Sequence, residues 1–224
     1  MIQLAVFLGN PGPEYAGNRH NAGRLLAARL PFYGSMNWQK KYKGLYAAFD
    51  RSRLPAPGAS AVSPENPAET APGPKIHFLL PETYMNRSGE SVLAAAAFFK
   101  VPPDQILVVH DELELPLGTL SLKFSGGLGG HNGLRSMKAS FGTADFWRLR
   151  IGIGRPDDRT PGQGGPPGSG RGVIGWVLSD FSAAEEEILA PVLEAGAGLL
   201  LRALRGEPEQ LLPEWRKKKA APDE

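Results

Sequence analysis

The chain has 224 residues, of which 42% are hydrophobic and 21% are charged, a composition typical of a globular protein rather than a disordered one. It contains no cysteine, which excludes disulfides, thiolate metal sites and a cysteine nucleophile. The formal net charge of +2 does not indicate a nucleic-acid partner, although a few clustered Lys and Arg side chains are enough to bind phosphates locally.

No stretch of the sequence is typical of a membrane span or a signal peptide. The apolar segments 93–99 and 188–204 are too short or are interrupted by Pro191, Glu194 and Arg202. The N-terminus continues directly into an apolar strand pattern without a basic region. We therefore expect a cytoplasmic protein that does not contact a membrane.

Strand and helix patterns alternate along the chain. Strands are predicted at 2–8, 36–50 (a strand or hairpin), 75–80, 106–109, 120–124 and 146–153, with helices after residues 21 and 133, at 88–100 and at 182–204. This alternation predicts the α/β fold class, as one domain with a mixed, twisted sheet between helices.

Two segments rich in Pro and Gly interrupt the pattern, at about 54–74 and 155–172. We interpret both as loop insertions in a single domain that covers residues 1–210. The remaining residues, 211–224, contain a basic run at 216–219 and are expected to form a frayed tail.

Three polar side chains follow apolar strands, namely Asn10, Asn86 and Asp111. Ligands of open α/β sheets bind beyond the carboxyl ends of the strands. We therefore expect these three loops, with His20 and Asn132 nearby in sequence, to converge on one crevice.

His20 is the candidate general base, because neutral imidazole accepts a proton from water near pH 7. A carboxylate at a strand end, such as Asp111, would fix its tautomer and stabilise the imidazolium. From residue chemistry alone, a histidine that caps or hydrogen-bonds a turn is the more common occurrence, so both interpretations stand at this point.

The three asparagines allow two interpretations as well. Asn10, Asn86 and Asn132 can donate to a carbonyl or a developing oxyanion, but asparagine beside Gly or Pro is usually a turn residue. The glycine-rich loop 126–133 lacks the spacing of a dinucleotide or P-loop motif. It is either a flexible connection or an anion site with Lys123 and Arg135.

Two other hydrolytic chemistries find little support. No G-x-S-x-G motif is present, which makes a serine hydrolase a poor match. His131 and the run 110–112 contain possible metal ligands, but their spacing is not that of a zinc site.

Five short blocks in one order carry a family resemblance. They are Gly9-Asn10-Pro11-Gly12 with Tyr15 and Arg19-His20-Asn21-x-Gly23; Pro81-Glu-Thr-Tyr84-Met85-Asn86-Arg-Ser88-Gly89; His110-Asp111-Glu112-Leu113-Glu114-Leu115-Pro116-x-Gly118; Gly129-Gly130-His131-Asn132-Gly133-Leu134; and Phe146-x-Arg148-Leu149-Arg150-Ile151-Gly152-Ile153-Gly154. In combination they resemble the bacterial peptidyl-tRNA hydrolases. The two insertions look longer than is usual in that family.

The resemblance implies hydrolysis of the ester between a peptide's C-terminal carboxyl and the terminal ribose of tRNA, by a monomer that needs no cofactor and no metal. It assigns the general base to His20 and the orienting carboxylate to Asp111. The remaining roles are substrate and water positioning by Asn10, Asn86 and Asn132, cleft lining by Tyr15, Tyr84 and Met85, and contact with the tRNA acceptor stem and 3′ end by Lys123, His131, Arg135 and Arg150.

Two alternatives remain open. One is a noncatalytic RNA-binding relative, which the presence of both His20 and Asp111 argues against. The other is a metal-dependent hydrolase, which a chelator would distinguish.

Overall fold

The computed structural model describes residues 1–55, 73–156 and 172–220. Its strands are β1 (Leu4–Phe7), β2 (Gln39–Lys41), β3 (Gly44–Asp50), β4 (Lys75–Pro81), β5 (Ile106–Glu112), β6 (Thr119–Phe124), β7 (Trp147–Gly152) and β8 (Lys218–Lys219). Its α-helices are α1 (Ala22–Ala27), α2 (Ser88–Phe99), α3 (Asn132–Phe141), α4 (Gly172–Val177), α5 (Ala183–Arg205) and α6 (Leu212–Trp215). The inner parts of both predicted insertions, 56–72 and 157–171, lie outside the described residues.

The strands form one mixed sheet in the order β2-β3-β4-β1-β5-β7-β6-β8. The central strands β4, β1, β5 and β7 run parallel, and antiparallel strands extend the sheet on both sides. β1 and the apolar part of β5 are buried throughout, as expected for strands that helices cover on both faces. The predicted α/β fold class is confirmed, and the segment 36–50 forms the predicted hairpin.

Side chains of β1 alternate between two apolar layers. Ala5 and Phe7 pack on the face covered by α1 and α5, whereas Leu4 and Val6 pack on the face covered by α2 and α3. This period of two follows from the pleat of a strand. Because the parallel strands end at one edge of the sheet, the segments that follow β4, β1 and β5 meet there. Within the described ranges, no helix is long and apolar enough to cross a membrane.

The C-terminal tail packs onto the domain, so the expectation that it frays was wrong for residues 211–219. Leu211 and Trp215 are buried in the core on the side of α5. β8 then adds to the sheet next to β6, with Leu120 opposite Lys218. Burial of one indole fixes the segment even though the neighbouring basic side chains stay in solvent.

Replacing Trp215 tests whether this packing is as close as the structure shows. We expect Trp215→Ala to lower the free energy of unfolding by about 3 kcal/mol, because a large buried side chain is removed. Denaturant unfolding measures this change, and Glu209→Ala, at an exposed position just before the tail, should stay within about 0.5 kcal/mol of the parent. A frayed tail would instead give no change for either variant.

Candidate active site

Asp111 lies at the carboxyl edge of the sheet and is only 2% exposed. The predicted strand 106–109 is too short, because β5 continues through Glu112. Asp111 is therefore part of the strand rather than of the loop after it, and the strand backbone holds its carboxylate rigidly in place.

His20 contacts this carboxylate directly. Its Nδ1–H donates to Asp111 at 2.9 Å from each carboxylate oxygen. The tautomer follows from the partner, since an ionised carboxylate only accepts. The Nε2 atom of His20 is thus left with a lone pair, which is the form that a general base requires.

A short 3-10 turn, Arg19–Asn21, carries His20 and leads into α1. Gly23 lets this turn approach the sheet, because a Cβ there would lie 2.7 Å from the Leu8 carbonyl oxygen and 2.6 Å from that of Val109. No side chain fits at such distances. The local sequence thereby places His20 against the ends of β1 and β5.

The guanidinium of Arg19 fastens the same turn to α4 and α5. It is 3% exposed, forms an ion pair with Glu185 at 2.7 Å, and stacks on Trp176 with 3.8 Å between its Cζ and the ring centroid. It also donates to the side chain of Ser179 at 2.7 Å. The sequence predicted no role for Arg19, although its place beside His20 was an available signal.

His131, which the sequence predicted as a tRNA contact, is the third side chain at Asp111. Its Nδ1 caps α3 by accepting from the backbone N–H groups of Gly133 (3.1 Å) and Leu134 (3.4 Å). The ring proton is therefore on Nε2, which donates to Oδ1 of Asp111 at 3.0 Å. With its side chain 7% exposed, this imidazole lies inside the site rather than on the surface.

The two histidines determine the charge of Asp111. Burial by itself raises the pKa of this carboxyl, but the electrostatic interactions and hydrogen bonds with His20 and His131 lower the pKa by a larger amount, so the net shift is downward. Asp111 is consequently a carboxylate near neutral pH. Complete burial lowers the pKa of the neighbouring His110, which stays neutral.

Asn10 links the end of β1 to the turn Met85–Arg87. Its Oδ1 accepts from the Met85 backbone N–H at 2.8 Å, and the Asn21 side chain binds both its N–H (2.7 Å) and its carbonyl (3.1 Å). The Met85 bond orients the side-chain amide of Asn10, and the two Asn21 bonds hold its backbone. No other described residue bonds its Nδ2, which remains free to donate to a substrate.

The other predicted substrate contacts lie around this turn with different exposures. Asn86 and Tyr84 are exposed, and Tyr84 has 59% of its surface in solvent. Asn132 is half-buried at the start of α3, where its Oδ1 accepts from Arg135. Tyr15 is half-buried in a separate 3-10 turn, Pro13–Tyr15.

Met85 is buried beneath the turn. It packs at Gly133, where an added Cβ would lie 2.6 Å from its sulfur. Met85, predicted to line the cleft, thus lies below its surface and supports the turn that carries Asn86. The glycine after Asn132 is what allows α3 to approach this closely.

Of the predicted tRNA contacts, Arg135 alone is next to Asn132 at the rim. Lys123 and Arg150 are half-buried and line a separate cavity at β6 and β7. Arg150 donates to Ser121 at 2.7 Å and lies 3.4 Å from a carboxylate oxygen of Glu112. It is therefore partly neutralised within the protein.

His20, Asp111 and His131 also have the spacing of a possible metal site, since one ligand atom from each lies within 4.8 Å of the others. In the structure the nitrogen atoms that face Asp111 already donate hydrogen bonds to it. A metal would have to displace both protons. We therefore interpret these three side chains as a hydrogen-bonded His–Asp–His group rather than as a metal site.

The fold and this site are those of an α/β enzyme in which a histidine–aspartate pair can activate water. The family model described as peptidyl-tRNA hydrolase matches residues 4–222. The chain therefore belongs to the peptidyl-tRNA hydrolase family, as its sequence blocks predicted.

Individual relatives agree with this assignment. A curated peptidyl-tRNA hydrolase of Treponema pallidum (strain Nichols) is 44% identical over 221 residues, covering 97% of this chain and 96% of the relative. A crystal structure of a peptidyl-tRNA hydrolase in complex with N-propanol is similar with a TM-score of 0.76 and 30% identity, over 99% of this chain and 97% of that one. The peptidyl-tRNA hydrolase of Acinetobacter baumannii gives a TM-score of 0.73 and 32% identity, over 96% and 94% of the two chains.

The lowered pKa of Asp111 gives a prediction for stability against pH. A carboxyl whose pKa is lower in the folded state stabilises the fold above its unfolded pKa of about 4, and this contribution is lost as the pH falls below that value. We expect the difference in unfolding free energy between the parent and Asp111→Asn to be larger at pH 7 than at pH 3. Denaturant titrations at both pH values measure it, with the exposed Asp104→Asn as control. A difference that does not change with pH would contradict the assigned charge.

Proposed function

We propose that this chain hydrolyses the ester between the C-terminal carboxyl of a peptide and the terminal ribose of tRNA, which releases the peptide and recycles the tRNA. The family membership supports the substrate and reaction. The observation that carries the mechanism is the hydrogen bond from Nδ1 of His20 to Asp111, which leaves Nε2 as the base.

The reaction requires only water and these side chains. Nε2 of His20 removes a proton from water while the water oxygen attacks the ester carbonyl, and Asp111 stabilises the imidazolium that forms. The tetrahedral intermediate then collapses, the bond to the ribose oxygen breaks, and the imidazolium returns its proton to that oxygen. The free amide Nδ2 of Asn10 is suited to donate to the carbonyl oxygen as negative charge develops there.

Asn86 and Asn132 would hold the substrate at the rim of this site. Their amides offer both donors and acceptors, which suits a peptide backbone or a ribose hydroxyl. Tyr15 and Tyr84 would cover the ester on the solvent side of the site. Met85 would support the turn Met85–Arg87 from beneath, because it is buried against Gly133. The asparagines need no charge for this role, so their effect on binding should not depend on salt.

The tRNA would bind mainly through its phosphates, at Lys123, Arg150 and Arg135. Such contacts are independent of sequence and weaken steeply as salt rises. An A-form acceptor stem would be recognised by its shape rather than by its bases. We also propose that the protein works as a monomer in the cytoplasm, where translation takes place. Size-exclusion chromatography tests the oligomeric state.

His20→Ala should abolish the general-base step. We expect kcat on peptidyl-tRNA to fall about 10²- to 10⁴-fold, because this is the usual contribution of a positioned base. His77→Ala is the matched control, since His77 hydrogen-bonds Tyr46 away from Asp111. Parent activity should persist in a chelator, which separates this mechanism from a metal-dependent one. A His20→Ala variant as active as the parent would rule the mechanism out.

His131→Asn separates a role at Asp111 from a contact with tRNA. Asparagine can still cap α3, but it removes the donor that His131 directs at Oδ1. We expect kcat to fall about tenfold with little change in KM, because a hydrogen bond to a charged group is lost. Steady-state kinetics on peptidyl-tRNA measure both constants. A raised KM with an unchanged kcat would instead support the tRNA contact that the sequence suggested.

A further inference from the structure

The C-terminal segment forms one wall of a cationic cavity some distance from His20. The cavity has a volume of about 710 Å³, and its charged lining residues are Lys123, Arg150, Arg216 and Lys217. Its lining contains no acidic side chain. Four positive charges around one cavity repel one another, so the arrangement is stabilised when an anion binds there.

Backbone contacts hold the C-terminal segment in this position. β8 pairs with β6 only as far as Leu120, so the edge of β6 beyond that residue is open beside α6. The Ser121 hydroxyl donates to the Arg216 carbonyl, and Trp215 is buried in the core just before it. Arg216 and Lys217 are thus presented at the cavity by a folded segment rather than by a free tail.

The basic residues of the segment fall into two groups. Lys218 forms an ion pair with Glu214 at 2.9 Å, and Arg202 forms another with the same carboxylate group. The side chains of Arg216 and Lys217, in contrast, bond to no residue in the described ranges. The segment keeps its unpaired charges on the cavity side.

The strands bring further positive charge to the same cavity. Burial lowers the pKa of the Lys123 amine, and the nearby charges of Arg150 and Arg148 lower this pKa further. Glu112, at 3.4 Å from Arg150, partly opposes this charge. Apolar side chains complete the lining, including Phe124, which is 39% exposed.

We propose that Arg216 and Lys217 of the C-terminal segment bind a phosphate of the tRNA backbone together with Lys123 and Arg150. The apolar part of the lining, with Phe124, suits the adjoining ribose. The cavity lies two strands away from Asp111, about 10 Å across the sheet, so a polynucleotide bound there can extend toward the ester. This inference rests on the proposed function, because it takes tRNA as the substrate.

Binding of deacylated tRNA to Arg216→Ala/Lys217→Ala tests the proposal. Affinity should fall roughly tenfold or more near 0.1 M salt, and the slope of log K against log salt should decrease by up to about 1, since one phosphate contact is weakened or lost. KM for peptidyl-tRNA should rise while kcat is unchanged. Lys40→Ala/Lys41→Ala removes the same charge from two exposed residues of β2, at the opposite end of the sheet, and should change affinity less than twofold.

Two further measurements make the outcome decisive. The charge-conserving Arg216→Lys/Lys217→Arg should retain the parent affinity and slope, and thermal unfolding should show that all variants fold. Equal losses in both alanine pairs would mean a general charge effect and would overturn the proposal, as would an unchanged affinity for Arg216→Ala/Lys217→Ala. Failure of the parent to hydrolyse peptidyl-tRNA would instead contradict the proposed function itself.

Discussion

The buried negative charge of Asp111 is the constraint on which the site depends. A carboxylate that is 2% exposed is stable only if hydrogen-bond donors surround it, and here two imidazoles supply them. Each donation fixes a tautomer. His20 is left with a free Nε2, and His131 is left with an Nδ1 that caps α3.

The same constraint connects catalysis with the fold. Asp111 is held by the backbone of β5, His20 by a turn that Arg19 fastens to α5, and His131 by the start of α3. Elements distant in sequence therefore meet at one carboxylate. His20, the base that we propose, is thus positioned before substrate arrives, and preorganisation of this kind is a main source of rate enhancement in enzymes.

The chain separates the two tasks that a charged polymeric substrate imposes. The proposed ester site is buried and built from groups that hold a proton in a defined place, whereas the cationic cavity that we propose for the phosphates lies two strands away. We assign Asn10 to the first task because Met85 orients its side-chain amide and Asn21 holds its backbone. Salt should therefore act on binding of the tRNA and leave the chemical step unchanged.

The sequence by itself determined the α/β class, the family and the residue types at the carboxyl edge, because apolar periodicity and short motifs are local properties. It could not determine that His131 faces Asp111, since both imidazole nitrogens are assigned only by partners from β5 and α3. The hydrogen bonds of Asn10 and the ion pair of Arg19 with Glu185 likewise join residues far apart in the chain. The basic run 216–219 resembled a solvated tail until tertiary packing buried Trp215 and paired β8 with β6. Long-range contacts decided these features, because burial and hydrogen-bond partners arise only when the sheet is assembled.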